Sequence, residues 1–124
     1  PRMSVIKQVM LPLAYAWYAK KDREKMAIEA LKKVWLEEKK NNRPNELSGW
    51  QQQRVSIARA LAMNPPMILA DEPTWALDTK TWTEIMNLLV KLNEEWKTIV
   101  LITHEHDIDK YAKKHILIKD GLIV

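Results

Sequence analysis

The 124-residue sequence predicts an α/β protein, a parallel sheet joined to an N-terminal helical subdomain. Three observations predict it. Met67 to Ala70 and Ile99 to Ile102 are short, wholly apolar runs, as expected of strands in a parallel sheet covered on both faces. Between them, Thr79 to about Glu94 carries a helical stripe of Ile85, Leu88, Leu89 and Leu92. The first 64 residues show helical spacing alone.

The elements follow in order. Residues 4 to 19 predict a helix with Ser4 as N-cap and Val5, Val9 and Leu13 near one face. Pro12 is expected to kink or divide it, because proline removes an N–H and crowds the preceding turn. Asp22 is the expected cap of a second helix reaching about Glu38, with Ala27, Leu31 and Val34 buried. Lys39 to Asn45 is polar, contains Pro44 and reads as a loop. Ser48 opens a third helix, and Gln51 three residues later completes a capping box. Val55, Ile57, Ala58, Leu61 and Ala62 give that helix a wide apolar surface, and Asn64-Pro65-Pro66 ends it. After the second strand, a short helix is expected near Asp107 to Lys113. Asp120-Gly121 between Ile116–Ile118 and Leu122–Val124 signals a hairpin.

Composition narrows the function classes. The chain is 47% hydrophobic, which suits a folded domain and not a disordered tail. It has no cysteine, which excludes a disulfide framework and thiolate metal sites. The net charge is +4, but the lysines are spread along helices, so a solvated surface is expected and a nucleic-acid partner is not. The apolar run from Val9 to Ala19 contains Pro12 and is too short to span a bilayer. The start, Pro1-Arg2-Met3, has no initiator methionine and no signal-peptide pattern, and reads as an excerpt of something longer.

Three runs carry chemistry. Leu47-Ser48-Gly49-Trp50-Gln51-Gln52-Gln53-Arg54 places a serine and free backbone N–H groups at a helix N-terminus, where the helix dipole attracts anions; capping alone is the plainer reading. Met67 to Thr74 is an apolar strand ending in Asp71 and Glu72. Ligands of open α/β sheets bind beyond the carboxyl ends of strands, where one carboxylate suits Mg²⁺ and its neighbour an attacking water; an acidic turn is the bland alternative. Thr98 to Thr103 leads directly into His104.

Taken in that order, these runs resemble the catalytic half of an ATP-binding cassette (ABC) ATPase, a P-loop NTPase-like fold, over nearly the whole chain. The closing hairpin and the Val5 to Leu13 stretch most resemble the lipoprotein-release and macrolide-export branch. The resemblance implies ATP and Mg²⁺ as cofactors. It implies Glu72 as general base, His104 as the histidine that senses the γ-phosphate, and Asp71 as the magnesium ligand. Ser48, Gly49 and Gln51 match the signature that contacts nucleotide held by a second subunit. Trp75-Ala76-Leu77-Asp78 matches the D-loop that touches that subunit, and Asp78 reads equally as the cap of the helix that follows. His106 and His115 are expected at the surface. Residues 1–46 correspond to the helical subdomain that docks on a membrane permease, and residues 47–124 to the signature helix and C-terminal α/β portion. Such a subunit works at the cytoplasmic face of a membrane.

The family pattern breaks in two places. The chain has no Gly-x-x-x-x-Gly-Lys-Ser/Thr phosphate cradle, so little or no hydrolysis is expected from it alone. It also has only two glycines, where average usage would give about nine, and six tryptophans with no phenylalanine. Trp50 and Trp75 stand where the signature and D-loop carry glycine, and Trp17, Trp35, Trp82 and Trp96 match further usual glycine positions. The plain reading is that the indoles fill core volume. The sharper readings are deliberate replacement of glycine, or UGA codons that one genetic code reads as glycine and another as tryptophan. An engineered or non-catalytic folding scaffold derived from the family is the alternative function. A basic nucleic-acid binder is a third class, without clustered Arg/Lys to support it.

Overall fold

In a computed structural model, residues 2–73 and 77–124 are described, His106 and Asp109 by their backbone only. Four α-helices, a two-stranded parallel sheet and a small hairpin follow one another: α1 (Val5–Tyr15), α2 (Lys20–Lys33), α3 (Gly49–Leu61), β1 (Met67–Asp71), α4 (Thr79–Glu94), β2 (Thr98–Ile102), β3 (Ile118–Lys119) and β4 (Leu122–Ile123). Short 3-10 turns cover Glu37–Lys39, Pro44–Glu46 and His106–Lys110.

The helical subdomain forms because each helix buries one stripe. Val5, Val9 and Leu13 of α1 and Ala27, Ala30 and Leu31 of α2 are buried, and α1 packs on both α2 and α3. Pro12 does not divide α1 into two elements: it lies near the C-terminal end, and the bond its own N–H would have given Gln8 is lost. Ser4 occupies the N-cap position with no side-chain cap bond. The second helix differs from expectation at both ends. Its N-cap is Ala19, which leaves Asp22 inside the first turn favouring the helix dipole, and it stops at Lys33. The expected short helix near Asp107 is a 3-10 turn instead.

β1 and β2 pair in parallel, Met67 opposite Thr98 through Asp71 opposite Ile102. The crossover is α4, whose Ile85, Leu88, Leu89 and Leu92 are all buried, worth roughly 1.5–3 kcal/mol each. The expectation that both sheet faces are covered is corrected here. Ile68 is buried, but Met67 (56% exposed) and Leu69 (66% exposed) alternate outward beside exposed Val100 and Ile102. The apolar run arises because this face is built to be covered, yet nothing in the described residues covers it. Asp120 and Gly121, both at positive φ, form the two-residue turn that the right-handed twist of the β3–β4 hairpin demands.

The core-filling reading of the tryptophans fails for two of them: Trp17 is 93% and Trp96 95% exposed.

Candidate functional site

The site begins with strand register. Because Asp71 lies opposite Ile102, the next residues of both strands leave the sheet at the same rim. The Glu72 N–H donates to the Ile102 carbonyl at 2.9 Å, extending the ladder by one bond. Glu72 then turns the chain in the left-handed region, with φ 44°. A bulky residue held there is strained, and such strain gathers at functional sites.

Three donors converge on the Glu72 carboxylate. Its Oε1 accepts from the His104 backbone N–H at 3.2 Å and lies 2.7 Å from His104 Nδ1. Its Oε2 accepts from the Thr103 hydroxyl at 3.3 Å. Thr103 Oγ1 in turn accepts from the Glu105 N–H, which fixes the hydroxyl. The hydrogen bond to His104 holds the Glu72 carboxyl below the usual carboxylate range. The same bond raises the His104 imidazole above its ordinary value. Both side chains stay reachable, 32% and 74% exposed. The pairing of Nδ1 leaves Nε2 pointing at no hydrogen-bond partner among the described residues. In the protonated ring Nε2 is a donor.

Asp71 ends β1, exposed, at the same rim. Among the described residues no group of three or more His, Asp or Glu side chains is spaced to chelate an ion. The donor set is one exposed carboxylate beside a second whose oxygens are engaged. Mg²⁺ fits it, since that ion keeps several waters and takes one or two carboxylates together with substrate phosphates.

Ser48 caps α3 as its residue type dictates. Its Oγ accepts from the Gln51 N–H, and Gln51 Oε1 accepts from the Ser48 N–H at 3.0 Å, completing the capping box. Ser48 and Gly49 are exposed, and a Cβ at Gly49 would meet nothing within 4 Å. The Gln51 amide is thus held at its own helix end. Asp78 caps α4: its oxygens accept from the Thr81 N–H at 3.0 Å and the Thr81 hydroxyl at 2.6 Å, and the hydroxyl bond leads in lowering its pKa. Trp75 and Ala76 lie outside the described residues. His115 is exposed.

The structure therefore brings Asp71, Glu72 and His104 to one rim and sets Ser48, Gly49 and Gln51 at another helix end. Gln53 connects the two, donating from Nε2 to the Pro73 carbonyl just beyond Glu72. Sequence reasoning missed Gln53 and Thr103. Thr103 was findable, as the residue between a strand end and the histidine. Gln53 was not, because its partner is a backbone carbonyl 20 residues away.

Arg54 links α3 to its neighbours. It is buried, donates to Glu84 of α4 at 3.0 Å and to the Val34 carbonyl after α2, and lies over the rings of Trp50 (4.4 Å) and Trp35 (5.1 Å). No helix among the described residues is long and apolar enough to cross a membrane.

Comparison with known proteins gives one answer. Residues 1–75 match the family model described as ABC transporter. An ABC transporter ATP-binding protein of Methanocaldococcus jannaschii, MJ0796, is 51% identical over 98% of this chain and 54% of its own length. The macrolide export ATP-binding/permease protein MacB of Chlorobium phaeobacteroides is 51% identical over 99% of this chain and 19% of its own. Among solved structures, the MJ0796 dimer bound to ADP and Pi superposes with a TM-score of 0.79 at 48% identity, covering 99% of this chain and 55% of that one. The cbiO1 subunit of Clostridium perfringens does so with 0.89 at 33% identity, over 98% and 49%. The chain spans about half the length of MJ0796.

Proposed function

Since the chain belongs to the ABC transporter family of ATP-binding proteins, we propose that it is the catalytic half of a cassette whose ATP hydrolysis powers membrane transport. The observation that carries this is the 2.7 Å contact between Glu72 and His104 at the rim of two parallel strands.

Glu72 is the group that orients the attacking water and accepts its proton. A carboxylate with a lowered pKa is a weak base. Phosphoryl transfer tolerates that, because its transition state is loose and catalysis is mostly positioning. His104 positions the carboxylate through Nδ1 and offers Nε2–H to a phosphate oxygen while the ring is protonated, the state its partner favours. Asp71 is the residue that would hold Mg²⁺, which supplies charge neutralisation on the phosphates when bound. Ser48 and Gly49, with the capping-box partner Gln51, present the N-terminus of α3 to nucleotide held by a second cassette. The loop closed by Asp78 meets that same partner. Residues 1–46 form the permease-docking helical subdomain, residues 47–124 carry the chemistry, and the assembly sits at the cytoplasmic face of a membrane. The open face of Met67, Leu69, Val100 and Ile102 is where the remaining part of the cassette packs.

The test is Mg-ATP hydrolysis by this chain alone and by the same residues joined to the phosphate-cradling half. The expected result is phosphate release only from the joined form. Turnover by this chain alone contradicts the reading, as does an inert joined form whose melting temperature ignores Mg-ATP.

A further inference from the structure

Three of the four α-helices end in the same way. At the close of α1, the Trp17 N–H donates to Ala14 and the Tyr18 N–H to Leu13, both at 3.2 Å. At the close of α2, Trp35 donates to Lys32 and Leu36 to Leu31, at 3.0 and 2.9 Å. At the close of α4, Trp96 donates to Asn93 and Lys97 to Leu92, at 3.1 and 3.3 Å. Each is the paired-bond motif in which the residue just past the helix must turn left-handed, a place glycine dominates because it has no Cβ. Here that residue is tryptophan each time, with φ 63°, 54° and 68°.

Nothing about an indole explains this. The left-handed region penalises a bulky side chain, whereas Asn64 and Asp120, also at positive φ, are types that tolerate it. Packing does not repay the strain either. Trp17 and Trp96 are almost wholly exposed, and Trp35, 53% exposed, lies beneath Arg54 and Lys91. What the three positions share is a backbone built for glycine, in a chain with two glycines and six tryptophans.

We propose that residues 17, 35 and 96 are glycine in the protein as its own cell makes it, their codons being UGA, which that cell's genetic code reads as glycine and another code reads as tryptophan. Gly49 and Gly121 are then glycines written with ordinary codons. The geometry does not assign position 82. Trp82 donates to Glu105 at 2.7 Å and meets Tyr111 edge-on at 5.4 Å, so it has partners of its own. Extending the exchange to position 50 rests on the proposed function: it would lift the indole from Arg54 and leave two consecutive glycines in the first turn of α3.

The test reads the codons at 17, 35 and 96 in the genomic DNA and sequences the matching peptides, by mass spectrometry, from protein isolated from the source cells. UGA at all three with glycine in the peptides is the expected result. UGG at any of them, or tryptophan in the native peptides, overturns the proposal. Neither outcome depends on ATP hydrolysis, so the proposal fails separately from the functional reading. A second measurement tests the conformational argument: Trp17→Gly and Trp96→Gly should each raise the melting temperature of the tryptophan form by about 3–5 °C. Trp82→Gly, which loses the contacts to Glu105, Tyr111 and Lys110, should lower it. An unchanged or lowered melting temperature for the first two overturns the inference.

Discussion

Arg54 and Glu84 offer an asymmetric test of what holds α3 in place. Burial lowers the Arg54 guanidinium below its ordinary value, and Glu84 offsets this only in part. The Arg54 Nε is buried without a hydrogen-bond partner among the described residues. The cation is therefore tolerated in the core and not welcomed by it. Glu84→Gln keeps shape and removes the counter-charge. Breaking a fully buried pair costs about 3–5 kcal/mol, whereas an exposed pair is worth about 0–1. The Arg54 side chain is 9% and the Glu84 side chain 37% exposed, so water screens one end, and a loss of about 1–2 kcal/mol is expected. Arg54→Met removes the desolvated charge and keeps apolar volume, so it should cost less, within about 1 kcal/mol of the parent. Equilibrium urea unfolding of both variants and of the double variant measures the coupling. If Arg54→Met destabilises more than Glu84→Gln, the ion pair outweighs desolvation and the reasoning is wrong.

Two further outcomes follow from the same geometry. Ser48→Ala removes the α3 cap and should lower stability by about 1 kcal/mol in the same unfolding assay, with Ser48→Thr recovering most of it. The Glu72–His104 pair should give a pH-dependent melting temperature. The raised His104 value contributes stability that is complete below the ordinary histidine value of 6.5 and lost as pH rises through its folded value. The lowered Glu72 value contributes above the ordinary 4.5 and is lost as pH falls through its folded value. The contribution should thus be largest between pH 4.5 and 6.5; in His104→Ala the histidine part is lost and the Glu72 part shrinks to what the Thr103 hydroxyl and the residue-104 N–H supply.

Some of this was written plainly in the residues. α4 and the α3 start were legible because side-chain period and cap agree: Asp78 and Ser48 stand where the apolar stripes begin. The sheet rim was legible because two apolar runs each end in polar chemistry, and parallel register then forces Glu72 and His104 together. The helix ends were not. α1 was expected to reach residue 19 and α2 residue 38, and they stop at Tyr15 and Lys33. The residue that closes each, Trp17 or Trp35, carries no stop signal, while a glycine there would have announced the turn. The double burial of the sheet was misread because an apolar run reports what a strand is built to touch, and not what this chain supplies. Gln53 and Arg54 act through partners 20 to 30 residues distant, which spacing within one helix does not reveal.

The proposed role of Glu72, held by His104 at the strand rim, is to prepare water for attack on a bound triphosphate. Its most direct measurement is steady-state ATP hydrolysis by the complete cassette carrying Glu72→Gln, alongside binding of labelled ATP. Turnover is expected to fall at least about 100-fold while ATP is still bound. Turnover within a few-fold of the parent would place the essential base elsewhere and contradict that role.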